Sequence, residues 1–384
     1  MNNQLLKNIL KESIFRFLSW INKFVPKNEK TVLLYVTKNR FVYNLEPLRN
    51  YMLEHKYDQK YNISCGILDY EKYGNRAWVE YYAFIKSVWT FLNAKYVFYT
   101  CGQIPIKPSV KQTVIHLEHG NCAFKTGGKL SNVNFGDQYF FTYVIATSDL
   151  YVPIMAEEFG CPEDCVKVAG EPMADSLLLP PQKKYNFQSY DKVLVWMPTF
   201  RNSELMGYSD SNLESLVPLY EDEEYPLLND LLAQYNIKLI VKLHPIQTVP
   251  KDLQRHFSHL SVYSHDEFVK NEYEMYTLLA NSDGLIGDYS SVSMQYLFTD
   301  KPQAFVVPDL NSYASNRGFI FENPEDYMAG HIIKTKEEFK QFIDDFASNK
   351  DLFKDKRHWV CNQIFKYKDA KSCERIVKLS GMSL

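Results

Sequence analysis

"DGLIGDYSSVSMQYLF", residues 283–298, is the stretch from which the architecture can be read. It opens as a short β-compatible apolar run, "GLIGD" (284–288), and closes as a second one, "VSMQYLF" (292–298), at helical spacing. Between them stand a carboxylate, Asp288, and two hydroxyls, Ser290 and Ser291. A buried strand that ends in polar residues and turns at once into a helix is one step of an α/β layer. In such layers ligands gather beyond the carboxyl ends of the strands. Ser290 and Ser291 would then fall at the N-cap and first turn of the helix, where orphan N–H groups favour an anion, and a phosphate is the natural guest. The same residues also serve as plain N-caps with no ligand. On this stretch alone both readings stand.

Outward from residue 283 the rhythm repeats. "VLVWMPTF" (193–200), "IKLIVKLHP" (237–245), "LSVYS" (260–264) and "QAFVVPDL" (303–310) are β-rich runs separated by helix-compatible segments. An earlier series, "TVLLYVT" (31–37), "AKYVFYT" (94–100), "QTVIHLE" (112–118) and "YVIATS" (143–148), precedes the polar stretch "LPPQKKYNFQSYDK" (179–192) with its Pro180-Pro181 break. The pattern predicts an α/β protein of two Rossmann-like, doubly wound domains facing a cleft, residues 28–180 and 190–350. A helical segment follows over 351–384, and no internal repeat is visible.

Composition limits what such a chain does. Its 384 residues suffice for two domains with their own cores, and 46% hydrophobic against 23% charged residues describes a globular protein. The formal charge of -3 gives no basic face for nucleic acid. Seven cysteines without framework spacing suit a reducing compartment, and Cys161 and Cys165 have no second pair with which to build a zinc site. Aromatics reach 15%, which serves strands and cores before it serves carbohydrate stacking.

Residues 1–27 form a separate problem. Leu5, Leu6, Ile9, Leu10, Ile14, Phe17, Leu18, Ile21, Phe24 and Val25 recur at helical spacing, with Lys7, Lys11, Arg16, Asn22 and Lys23 opposite. The charges interrupt every candidate signal-peptide core, and no apolar run reaches the 18 residues of a membrane span. A basic amphipathic helix carrying Trp20 and several Phe fits the headgroup layer of an anionic membrane. Packing on the protein's own core is the competing reading.

Several strands end in polar signatures that would share one edge of the sheets: "EHGNCAFKTGG" (118–128), "AGEPMADS" (169–176), "MPTFRNS" (197–203), "KLHP" (242–245) and "GDYSSVSM" (287–294). His119 precedes a glycine that admits close approach to the backbone. His244 stops at Pro245. Either histidine suits proton transfer near neutrality, although each alone is as well explained as a hydrogen-bonded structural residue. Arg201, two residues after Thr199, offers a fork for bidentate phosphate contact. The nucleotide-binding P-loop, G-x-G-x-x-G, G-x-S-x-G and H-E-x-x-H patterns are missing.

Taken in order, "EHGNCAFKTGG", "MPTFR", "KLHP", "DGLIGDYSSVSMQYLFTDKPQAFVVPDL", "NRGFIFE" and "DAKSCERIV" resemble the signatures of the CDP-glycerol glycerophosphotransferase family, the teichoic acid primases and polymerases. The resemblance covers roughly residues 95–380 and implies a GT-B-like fold. It also implies transfer of a polyol phosphate, glycerol phosphate foremost, from a CDP-linked donor to a hydroxyl of a lipid-linked saccharide or polymer, with CMP released. By matching position, His119 is implied as the general base and His244 as the stabiliser of the transition state or leaving CMP. Thr199, Arg201, Lys242, Asp288, Ser290, Ser291 and Arg317 fall on the donor side. Glu118, Asn121 and Asp175 fall on the acceptor side.

Glu118 stands where the family usually has Trp, and Met173 where it often has Arg. No tightly bound cofactor or metal is expected, a Mg²⁺ ion arriving with the donor diphosphate being compatible. The expected place of action is the cytoplasmic face of the membrane, as a peripheral protein in teichoic acid or capsule synthesis. Two other readings share these residues: a nucleotide-sugar glycosyltransferase of the same fold, and a non-catalytic polysaccharide-binding or assembly protein.

Overall fold

Parallel strands covered on both faces must be apolar along their whole length. The computed structural model gives that position to the apolar runs read above. It describes residues 3–35, 43–66, 77–100, 102–125, 139–181, 183–203, 208–209, 211, 215–245, 247, 249–250 and 253–384, with only the backbone course for 3–11, 77–81, 202–203 and 208–209. Val36 and Thr37 of the first expected strand, Cys101, and Thr126 to Gly128 of the "EHGN" signature lie outside the described residues.

Two units are formed. Unit 1 comprises Met1–Asn121, Gly136–Met173 and Asp369–Leu384, and unit 2 comprises Cys122–Phe135 and Ala174–Lys368.

Unit 1 holds β1 (Asn28–Tyr35), β2 (Asn62–Cys65), β3 (Ala94–Tyr99), β4 (Thr113–His116), β5 (Tyr143–Ala146) and β6 (Val166–Val168). Their order is β2-β1-β3-β4-β5-β6, parallel throughout. Its helices include α1 (Asn3–Asn22), α2 (Leu45–Glu54) and α3 (Ala77–Asn93). Val32, Leu34, Phe98, Ile115 and Ile145 of the sheet are buried with Leu45, Leu48 and Met52 of α2.

Unit 2 holds β7 (Lys192–Trp196), β8 (Ile237–Lys242), β9 (Leu260–Tyr263), β10 (Gly284–Gly287), β11 (Gln303–Val306) and β12 (His331–Ile333), besides a two-stranded ribbon at Asn202–Ser203 and Tyr208–Ser209. The order is β9-β8-β7-β10-β11-β12, again all parallel. One face of this sheet packs Leu194, Trp196, Leu239 and Ile286 against Phe339, Phe342 and Phe346. The other packs Val195, Ile240 and Leu285 against Leu278, Leu279 and Tyr296.

The division differs from the expected one in three places. Chain membership changes at Met173/Ala174, ahead of the Pro180-Pro181 break, so Asp175 belongs to unit 2, in the 3₁₀ turn Ala174–Leu178. Cys122 to Lys125 join unit 2, where Phe124 packs its ring 6.1 Å from those of Phe305 and Phe321. The expected 351–384 segment is split. Helix Lys354–Ile364 stays with unit 2, whereas helix Ser372–Ser380 joins unit 1, because its apolar face of Cys373, Ile376 and Val377 is buried in the α2 core.

Candidate functional site

β7 is the topological switch point of unit 2. From it the chain moves outward through β8 and β9, then returns to lay β10, β11 and β12 on its other side. Beyond the carboxyl ends of two such diverging neighbours an open α/β sheet leaves a crevice. Thr199 and Arg201 follow β7, Asp288 and Tyr289 follow β10, and Asp309 follows β11.

These residues bond across that point. The Thr199 backbone N–H (2.7 Å) and hydroxyl (2.5 Å) both donate to Asp288. Arg201 Nη1 pairs with the same carboxylate, and its Nε donates to Asp309 at 3.1 Å. Tyr289 donates its hydroxyl to Asp309 at 2.9 Å, and its ring lies 5.1 Å from the guanidinium. Burial alone would lower the Arg201 pKa, but the Asp288 and Asp309 charges outweigh it and raise it. For Asp309, burial pulls upward, yet Arg201 and the hydrogen bonds from Ser211 and Tyr289 hold the carboxyl below its ordinary range.

This arrangement corrects one expectation. Arg201 is 4% exposed and its fork is committed to two carboxylates, so it braces the strand ends instead of offering itself to a phosphate. Asp288, 1% exposed, is spent in the same way. The residues left toward solvent are the half-buried Thr199, Ser290, Ser291 and His244.

Ser290 is the N-cap of helix Ser291–Gln295, its hydroxyl accepting from the Val292 N–H at 3.4 Å. The helix is five residues long and tightens into a 3₁₀ turn, Tyr296–Thr299. An anion there would meet first-turn N–H groups and hydroxyls more than a macrodipole. Gly287 is required just before it, since a Cβ would stand 2.1 Å from Ser293 Oγ.

His244, past the end of β8, stacks on Phe200 with ring centroids 5.7 Å apart, which ties it to the Thr199–Arg201 loop. Lys242 turns elsewhere, its ammonium 5.4 Å over the Phe268 ring. Arg317 is the buried C-cap residue of helix Leu310–Asn316. Asp309 lies in the "VVPDL" run (306–310) with no signal of its own in the sequence. Nothing local marks it as the second partner of an arginine 108 residues away.

In unit 1, His119 stands three residues after β4 with its side chain 49% exposed. Glu118 precedes it in the left-handed region, φ 54°, and Gly120 follows at φ 145°. His116, at the end of β4, is buried, and burial lowers its pKa to about 4. Its Nδ1 accepts the Glu118 N–H at 3.2 Å, so the ring stays neutral. Asn121 is also buried, its side-chain amide donating to the Ile145 carbonyl (2.8 Å) and its backbone N–H donating to Glu171 Oε1 (3.3 Å). It shapes the loop from within. Among the described residues no three His, Cys, Asp or Glu side chains gather as a metal ion would require.

A family model described as CDP-Glycerol:Poly(glycerophosphate) glycerophosphotransferase matches residues 17–379. The teichoic acid ribitol-phosphate polymerase TarK of Staphylococcus aureus is 25% identical over 388 residues, covering 95% of this chain and 71% of that protein. The teichoic acid ribitol-phosphate primase of Bacillus spizizenii is 28% identical, over 71% of this chain and 70% of its own length. The solved structure of the wall teichoic acid polymerase TagF superposes with a TM-score of 0.67 at 17% identity, covering 99% of this chain and 97% of that one. That likeness shows the GT-B-like fold.

Proposed function

Because the chain belongs to the CDP-glycerol:poly(glycerophosphate) glycerophosphotransferase family, we propose that it moves a polyol phosphate from a CDP-linked donor to an acceptor hydroxyl, releasing CMP. The acceptor is a lipid-linked saccharide or growing polymer of teichoic acid synthesis, and the polyol is glycerol or ribitol. The match over residues 17–379 carries this reading.

The chemistry asks for little covalent work by the protein. Phosphoryl transfer needs an acceptor stripped of its proton, a donor held in line, and charge stabilised at the leaving phosphate. His119 takes the acceptor's proton. Ser290, Ser291, Thr199 and His244 hold the donor diphosphate, with Arg201 and Asp288 fixing their positions from behind. A Mg²⁺ ion would enter with the donor.

α1 supplies the approach to the acceptor. Phe17 and Trp20 are exposed on it, Trp20 by 57%, and Phe24 just beyond its end, while Leu18 and Ile21 line an apolar groove with Val88 and Leu92 of α3. Of the apolar residues expected on one face, the described ones from Ile14 onward are thus divided, some against the protein and some toward solvent, and the side chains of Leu5, Leu6, Ile9 and Leu10 lie outside the described residues. The outward aromatics dip into an anionic headgroup layer at the cytoplasmic face. Among the described residues no helix is long and apolar enough to cross a membrane.

Calorimetric titration with CDP-glycerol, CDP-ribitol, CMP and UDP-glucose tests the donor. Binding of a CDP-polyol that weakens in a Ser290→Ala, Ser291→Ala variant supports the reading, and preference for UDP-glucose overturns it. For the membrane, vesicles containing phosphatidylglycerol should bind the full chain and lose a Phe17→Ser, Trp20→Ser variant. Equal binding of both removes α1 from the account.

A further inference from the structure

A loop that uses every handle of one residue to hold its carboxylate against a neighbouring imidazole has a chemical consequence. Glu118 adopts φ 54°, a region that side chains other than glycine rarely occupy and that persists only where the surroundings impose it. Those surroundings are visible. Its carbonyl accepts from Thr100 Oγ1 at 2.7 Å and from Asn44 Nδ2 at 3.0 Å, and its N–H donates to His116. Asn44 is itself pinned, donating to the Leu117 carbonyl and accepting from the Met173 N–H. The carboxylate Oε2 then accepts from the His119 backbone N–H and lies 2.9 Å from His119 Nδ1.

We infer that Glu118 is the positioning residue that makes His119 a base at Nε2. A carboxylate at Nδ1 keeps the proton on that nitrogen, leaves the lone pair on Nε2, and stabilises the imidazolium formed when Nε2 is protonated. The inference rests on the reading of His119 as the base. In the step it serves, the acceptor O–H bond breaks and its proton passes to Nε2. The freed oxygen forms a bond to the donor's β-phosphorus, and the bond from that phosphorus to CMP breaks, CMP leaving with the electron pair.

The geometry also fits the electrostatics of the loop. Burial would raise the Glu118 carboxyl, but His119 and His116 outweigh it and hold it down to about 2. Among the described residues, His116 of β4, kept neutral by burial, and Tyr43, ahead of α2, with its ring centroid 5.1 Å from that of His119, stand beside the pair. The carboxylate acts on both imidazoles, and burial separates them: His116 is buried and neutral, whereas His119 is half exposed.

The test uses the full chain with a CDP-polyol donor and a lipid-linked acceptor, comparing His119→Ala, Glu118→Gln and Glu118→Gly. His119→Ala should lower kcat by about 10²–10⁴-fold with donor affinity kept. Glu118→Gln retains an acceptor for Nδ1–H without the charge. Its kcat should fall at least about tenfold at unchanged donor KM, and the acid limb of its kcat–pH profile should move down by about one unit or more. Glu118→Gly removes the carboxylate while suiting the left-handed backbone, so it should fold at least as well and show the same kinetic loss. A full rate in His119→Ala overturns the base assignment and this inference together. Loss in His119→Ala, with wild-type kcat and an unmoved acid limb in either Glu118 variant, overturns the inference alone.

Discussion

The strand-end loops of the two units solve opposite problems. In unit 2, Thr199, Arg201, Asp288, Tyr289 and Asp309 turn their polar groups on one another, with Arg201, Asp288 and Tyr289 buried. In unit 1, the backbone of Glu118 is strained and gripped, and the side chain it delivers, His119, is left half exposed. The first loop turns its polar groups to rigidity, and the second uses backbone strain to present an imidazole. In the function proposed above, the first is the fixed seat of the donor diphosphate and the second the proton acceptor.

The comparison breaks most visibly at Arg201. Arg201→Met leaves two carboxylates buried without their cation, and removing one partner of such a pair costs on the order of 3–5 kcal/mol. Guanidinium denaturation monitored by the tryptophan on β7, Trp196, should show that loss. A change below about 1 kcal/mol would mean the triad is solvated and the contrast with unit 1 is false.

Next in size is the pH dependence of unit 1. His116 has its folded pKa lowered to about 4 from an ordinary 6.5. Between those values the unfolded chain binds a proton that the folded chain refuses, so its stabilising contribution is intact above pH 6.5 and is lost as the pH falls toward 4. The shift is worth on the order of 3 kcal/mol. The Glu118 carboxylate, held down to about 2, adds a second loss as the pH drops below 4.5. Denaturant midpoints measured from pH 7 to 4 should fall for the wild type, and the fall should be shallower in His116→Gln.

The smallest effects sharpen the contrast. Thr199→Val deletes one of the donors to buried Asp288 and should cost about 1–3 kcal/mol. Thr100→Val removes a donor from the Glu118 carbonyl, which still has Asn44, and should cost about 1 kcal/mol or less. Thermal melts of the two variants rank them. The reverse order would place the tighter lock in unit 1.

Much of this was legible before any coordinates. The βα step at "GLIGDYSS", the two sheets, and His119 as a residue of interest follow from apolar runs and polar strand ends. The family follows from the order of the signatures. What escaped was non-local. The strands Asn62–Cys65, Val166–Val168 and His331–Ile333 are three or four residues long and sit at sheet edges, too short to show a period. Arg201 reads as a phosphate ligand from its position, because its real partners stand 87 and 108 residues away. Helix Ser372–Ser380 is amphipathic in the sequence, but nothing local says which unit its apolar face completes.

That helix also orders events during synthesis. Unit 1 is begun first, yet Cys373, Ile376 and Val377 belong to its core beside Leu45, Leu48 and Met52. Until residues 372–380 are free of the ribosome, the first unit carries an open apolar groove, although nearly all of unit 2 has been made by then. A premature stop anywhere in unit 2 therefore damages the unit translated before it, and a nascent chain stalled there is one a chaperone should hold.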